Sequence, residues 1–188
     1  GHSRVDQLLM VEAQVLKLRA MPQASNLLAV KMTNGYVSIF DIEKRPKFSD
    51  DVAAMVPDVK LRGHRKAGFG LAWNPSTLGF IASGGDDQLV CYWDIDAVSD
   101  PEENGGNASG DVRPLHSFSG HSDAVHEVAW HSSQDHLLGS VSEDKSFRLW
   151  DTRTNHVAQV VEDAHRGGVY GVDFHPVASY QFATCGAD

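Results

Sequence analysis

Three sets of side chains in this sequence carry the groups of nucleophilic catalysis: His64, Ser83 and Asp87; His121, Ser140 and Asp144; and His165, Thr184 and Asp188. A hydroxyl, an imidazole that takes its proton and a carboxylate that orients the imidazole together make a serine-type triad. Repetition argues for another role. One active site needs one such set, whereas a repeating structure needs the same buried polar groups satisfied in every unit. The expected arrangement is a buried hydrogen-bond network joining the loop histidine, the turn aspartate, the strand hydroxyl and an indole, Trp93 or Trp150. No catalytic residue is assigned. His116, His121, His126, His131 and His136 recur at five-residue intervals and invite a metal reading. Strand side chains alternate faces, so that spacing puts successive imidazoles on opposite sides. No Cys-x-x-Cys or His-Glu-x-x-His motif accompanies them, and Gly84-Gly85 and Gly105-Gly106 read as turn and loop glycines, not a phosphate cradle. Neither a metal nor a cofactor is expected.

The elements that must position these groups recur in a fixed order. Gly63-His64 leads to Trp73-Asn74-Pro75, then to Ser83-Gly84-Gly85-Asp86-Asp87 and Tyr92-Trp93-Asp94. Gly120-His121 leads to Trp130-His131, then to Ser140-Val141-Ser142-Glu143-Asp144 and Leu149-Trp150-Asp151. Ala164-His165 leads to Phe174-His175-Pro176 and Thr184-Cys185-Gly186-Ala187-Asp188. The histidines stand 57 and 44 residues apart. The second spacing matches the period of a four-stranded propeller blade, roughly 40–45 residues; the first is lengthened by an insertion from Ser99 to Asp111. A degenerate earlier unit reads Val15 to Arg19, Leu27 to Lys31 and Val37 to Asp41, with Phe40-Asp41 in place of Trp-Asp.

The runs are short, β-rich and separated by turn residues, with no competing helical period. The expected fold is all-β: a WD-repeat β-propeller, with about three and a half blades present. Residues 1–188 divide into a degenerate blade 11–61, a blade 62–118 carrying the loop 99–111, a blade 119–161 and an incomplete blade 162–188. Phe69, Val125 and Val169 fall on first strands, Ser83, Ser140 and Thr184 on second strands, and Trp93 and Trp150 on third strands. Cys91 and Cys185 read as small buried thiols. Glu43 to Asp58 reads as a charged linker. An open arc of blades exposes strand edges, so the isolated chain is expected to self-associate or to be part of a larger protein.

Composition narrows the partners. Acidic residues outnumber basic ones 25 to 16, for a formal charge of -9. That balance argues against the basic footprint of a nucleic-acid binder and suits a basic partner. No apolar stretch reaches membrane-spanning length, so no membrane partner is expected.

Several segments go beyond the generic repeat: Pro22-Gln23, Leu61-Arg62-Gly63-His64, Gly68 to Pro75, Val125 to His131, Leu138-Gly139-Ser140-Val141 and Leu149-Trp150-Asp151-Thr152-Arg153. Together they resemble the histone-binding WD-repeat proteins of the retinoblastoma-binding and chromatin-assembly-factor small-subunit type, over nearly the whole of residues 11–188. The resemblance implies a seven-bladed propeller that serves as a non-enzymatic subunit of chromatin complexes, in the nucleus and also the cytoplasm. Its implied partners are core histones, basic histone-tail or cofactor peptides, and other complex subunits. One implied surface, a core-histone site between an N-terminal helix and a late acidic loop, has no counterpart in these residues. The other is an acidic top face around the central channel. Here the sequence departs from the family, because Gln14, Ala67, His126 and Gly168 stand where the family carries acids. Phe69 keeps an aromatic, Lys17 keeps a basic position, and Leu16 and Tyr170 replace amides. Asp123, Glu127 and Glu143 remain as acidic candidates. Fewer opposed carboxylates mean less specificity for a basic peptide, with Phe69 and Tyr170 as candidate apolar anchors. A WD-repeat scaffold of another pathway, such as ribosome assembly or ubiquitin-ligase substrate recognition, is the alternative.

Overall fold

The computed structural model describes Leu9 and residues 11–45, 56–96 and 111–188. Four antiparallel sheets follow one another along the chain. The first holds β1 (Val15–Ala20), β2 (Leu27–Met32), β3 (Val37–Asp41) and β4 (Val59–Leu61). The second holds β5 (Leu71–Trp73), β6 (Phe80–Gly84), β7 (Val90–Asp94) and β9 (His116–Phe118). The third is β10 (Val125–Trp130), β11 (Leu137–Ser142), β12 (Phe147–Asp151) and β13 (His156–Val161). The fourth pairs β14 (Val169–Phe174) with β15 (Phe182–Gly186).

A short strand β8 (Asp111–Val112) adds to the first sheet, parallel to β4. This corrects the expected boundaries: the end of the insertion belongs to the preceding sheet, not to a loop of its own blade. Arg62 holds it there, through its N–H to Val112 O at 2.8 Å and its guanidinium to Asp111 at 2.6 Å. Residues 97–110, which include 99–110 of the insertion, and 46–55 of the charged linker lie outside the described residues. At the near end of that linker, Ile42–Lys44 forms one 3-10 turn. Phe69 also differs from expectation. It precedes β5, because Gly68, at φ +154°, leaves extended geometry and only the Gly70 carbonyl, accepting from Gly84 N–H, continues the pairing.

The first three sheets are apolar on both faces, and the core lies between sheets. Ala29, Ile39 and Leu61 of the first sheet pack on Leu71, Ile81 and Trp93 of the second. Ala82, Tyr92 and Phe118 of the second pack on Val125, Val128 and Trp150 of the third. Val141 and Phe147 of the third pack on Val169 and Phe174 of the fourth. The two-residue alternation of a strand explains this: Ile81 and Ser83 point to one neighbour while Ala82 points to the other. Cys91 is buried in the first of these cores, but Cys185 is exposed, which corrects its expected burial. Its strand β15 is largely exposed and carries no sheet over its outer face among the described residues.

The sheets are stapled at one end by polar side chains. Asn74 Oδ1 accepts from Ser76 and Thr77 N–H, both at 2.9 Å, while its Nδ2–H donates to Asp135 O of the next sheet at 2.7 Å. His131 repeats the device, accepting from Ser133 and Gln134 N–H at Nδ1 and donating from Nε2 to Ser179 O at 2.7 Å. The histidine loops lie at the opposite end.

Candidate partner-binding face

At that opposite end the strand register aligns the four units. Leu18 pairs with Val30, Leu71 with Ser83, Val128 with Ser140 and Val172 with Thr184. Just before these pairs, Leu16, His126 and Tyr170 are each the extra residue of a bulge in the first strand, and Phe69 holds the same position in the second sheet. Bulges aim a side chain out of the ladder, so the four residues form an arc across the end of the molecule. Phe69 is 50% exposed and Tyr170 47%.

Beneath the arc, the third sheet closes a full relay. Trp150 Nε1–H donates to Ser140 Oγ at 2.8 Å, and the Ser140 hydroxyl meets His121 Nε2 at 2.8 Å. His121 Nδ1 lies 2.8 Å from Asp144 Oδ2. That carboxylate also accepts from Ser122 N–H at 3.0 Å and Ser146 Oγ–H at 2.7 Å. Burial would raise the Asp144 carboxyl, but these donors together hold it down at about 2. Burial pushes the His121 imidazole down in spite of its aspartate partner. The neutral tautomer with hydrogen on Nδ1 therefore satisfies every group. In the fourth sheet, His165 contacts Asp188 at 2.6 Å and Thr184 Oγ1 at 2.9 Å.

The second sheet does not form the expected network. His64 Nδ1 lies 2.9 Å from Asp87 Oδ1, but Nε2 faces the Ser83 carbonyl oxygen at 3.2 Å instead of its hydroxyl. Trp93 Nε1–H donates to Arg62 O at 3.1 Å. The Ser83 hydroxyl is taken by Lys31, whose ammonium reaches across from β2 to Ser83 Oγ and to Gly84 O. The rings themselves have not moved, since the His–Trp centroids are 6.1 Å apart in both sheets. The separation of 23 residues from each histidine to its aspartate, and of 19 to its hydroxyl position, is the same in all three units. That constancy is the sequence signal for the relays; Lys31 was the residue overlooked.

The remaining candidates lie on or beside the arc. Lys17 forms an ion pair with Glu127, from first sheet to third, past the side-chain-free Gly70 of the second. His126 Nε2 lies 2.9 Å from Glu143 Oε2, and its ring packs on Tyr170 with centroids 4.8 Å apart. The same carboxylate raises the Tyr170 phenol, and a Cβ at Gly168 would overlap it. Glu127 and Glu143 are thus already engaged. Asp123 is exposed, and among the described residues its carboxylate accepts from Ala124 N–H at 2.7 Å. Gln14 is exposed, its carbonyl accepting from Thr33 N–H, and Ala67 O accepts from Asp86 N–H.

The sequence pattern of the family described as WD domain, G-beta repeat matches residues 56–94, 112–151 and 158–188, more than half of the chain. The chain belongs to this family. WD repeats build non-catalytic interaction scaffolds, and the relays here are structural supports: the Ser83 and Ser140 hydroxyls are fully buried, against an ammonium and against an indole and an imidazole, and the part-buried Thr184 hydroxyl meets His165. The five regularly spaced histidines scatter over β9, β10 and the two connections that flank β10, and no group of three potential ligands is positioned to hold a metal among the described residues. None of the described helices is long and apolar enough to cross a membrane. What the WD repeats offer is a protein-interaction surface, and the arc of Leu16, Phe69, His126 and Tyr170 is the candidate for it.

Proposed function

We propose that this WD-repeat chain is a histone-binding scaffold of chromatin assembly, remodelling or modifying complexes, acting in the nucleus and also the cytoplasm. The observation that carries the reading is the arc itself, with Phe69 and Tyr170 half exposed at one register position of the second and fourth sheets. Rigid aromatic side chains on a rigid support are the usual anchors of a peptide interface. The resemblance of residues 11–188 to histone-binding relatives and the charge of -9 support a basic partner. On this reading core histones or basic tail and cofactor peptides lie across Phe69 and Tyr170, with Asp123 as the available carboxylate.

A WD-repeat scaffold of another pathway is the second reading. It is favoured by the internal pairing of Glu127 with Lys17 and of Glu143 with His126, which leaves less free acidity for a lysine-rich tail. Equilibrium binding to purified core histones and to tail peptides at physiological salt separates the two. The histone reading expects binding that weakens in Phe69→Ala and Tyr170→Ala. Binding of neither histones nor tails overturns it.

A further inference from the structure

Lys31 is wholly buried, with 0% of its surface exposed, in a strand whose neighbouring positions are apolar. Register places it where the other sheets carry Gly84, Val141 and Cys185, the position that faces the following sheet. Where that position is Gly84, the next sheet's Ser140 closes its relay. Where it is Val141, Thr184 of the fourth sheet keeps its contact with His165. Among the described sheets, only across from Lys31 is the relay opened, and there the ammonium donates to the very hydroxyl the relay needs.

The same contact reaches the partner-facing loop. Lys31 grips Ser83 and Gly84, the end of β6. On that end rest residues 65–70: Gly84 N–H donates to Gly70 O at 3.1 Å, Asp86 N–H to Ala67 O at 2.8 Å, and Arg65 N–H to Asp87 Oδ2 at 2.8 Å. A Cβ at Gly68 would fall 2.6 Å from Gly85 Cα and 2.7 Å from Gly84 O, so the loop lies directly on this strand end. Phe69 is carried between these contacts.

We propose that Lys31 is the positioning residue of the second sheet's partner-facing loop: its buried ammonium replaces the serine-centred relay and fixes the strand end that presents Phe69. A strut of this kind depends on the charge of an ammonium, whereas the third sheet's relay joins a neutral imidazole to an ionised Asp144, and neither changes charge on the alkaline side of pH 7. Lys31 faces Cys91 on β7, Asp86 and Asp87 in the turn after β6, Glu127 on β10 and His64 in the preceding loop. Burial lowers its ammonium to about 8, against the opposing pull of these acidic groups. Burial also pushes His64 down and Cys91 up to about 11, so neither changes charge between pH 7 and about 9.5. The consequence for binding rests on the reading of the arc as the partner surface; the positioning itself does not.

Backbone amide NMR of the whole chain tests it without a partner. The expected result is that amides of residues 65–70 and 84–87 shift together with a midpoint near pH 8, and that this step is lost in Lys31→Met. Amides of residues 120–127 in the third sheet should show no such step in either protein. Ser83→Ala and Ser140→Ala provide the second arm, independent of whether Lys31→Met folds: the Trp150 indole N–H resonance should move on loss of Ser140, and that of Trp93 should stay on loss of Ser83. A step that persists in Lys31→Met, or a Trp93 indole that moves as Trp150 does, overturns the assignment. Histone binding is measured separately, so its absence would count against the function proposed above and leave the positioning role to the amide data.

Discussion

The second and third sheets carry the same histidine, serine, aspartate and tryptophan at the same spacings, and hold their rings at the same separation, yet they are wired differently. In the third sheet a neutral chain of donors runs from the Trp150 indole through Ser140 and His121 to Asp144. In the second sheet Ser83 answers to Lys31 of the sheet before, Trp93 turns to the Arg62 carbonyl, and His64 is left with acceptors on both sides. A neutral imidazole has one N–H, so only one of those approaches is a hydrogen bond, and the nearer carboxylate takes it. The difference originates in one position of the adjoining strand, Lys31 in one case and Gly84 in the other. A repeat's internal network is therefore a property of two neighbouring units, not of one.

The largest effect is expected where the network is complete. Asp144→Ala strips partners from His121, Ser122 and Ser146 and should lower stability by about 3–4 kcal/mol in chemical denaturation. Lys31 should dominate the alkaline side. Its folded value of about 8 lies below the ordinary 10.5, so the unfolded chain binds more protons between those values and stability rises with pH there, by up to about 3 kcal/mol. Lys31→Met should lack that rise. Ser140→Ala leaves an indole and an imidazole without their shared partner, an expected loss of about 2 kcal/mol; a variant as stable as wild type would remove the relay from the account.

On the acid side the third sheet should lose stability as protons bind, with the same sign of pH dependence. Asp144 is held at about 2 against an ordinary 3.8, so its contribution of about 2 kcal/mol is complete above 3.8 and lost as pH falls through about 2. His121, pushed below its ordinary 6.5, adds loss in the same direction as pH falls below that value. Acid denaturation of wild type against Asp144→Asn measures this. The smallest effect is expected at the surface: Phe69→Ala should change stability by no more than about 0.5 kcal/mol, so any loss of binding it causes can be read as loss of contact.

Much of this arrangement is written locally and could be read from the chain. The order of Gly-His, Trp-Asn or Trp-His, Ser and Trp-Asp marks strand, turn and loop because each is a local preference, and the turn at Thr33-Asn34-Gly35 is legible because that position needs the left-handed backbone. Gly35 adopts φ +85°, while Gln88 and Lys145 are forced to +69° at the same place in the second and third sheets. What could not be read depends on neighbours distant in sequence. Ser83 and Ser140 look alike until Lys31, 52 residues earlier, is placed against one of them. Asp111 and Val112 look like the end of a loop until β4 offers them an edge. Glu127 and Glu143 read as free acids until Lys17 and His126 are brought to them. The available hint was Lys31 itself, a lone charge in an otherwise apolar strand, one residue beyond the position that is serine or threonine in every later unit.

The most direct test is a crystal structure of the Lys31→Met variant. The account expects the Ser83 hydroxyl, released from the ammonium, to take up the arrangement of Ser140, within hydrogen-bond distance of both Trp93 Nε1 and His64 Nε2. A variant in which Trp93 still donates to the Arg62 carbonyl and Ser83 remains outside the relay would contradict the claim that the neighbouring sheet decides the wiring.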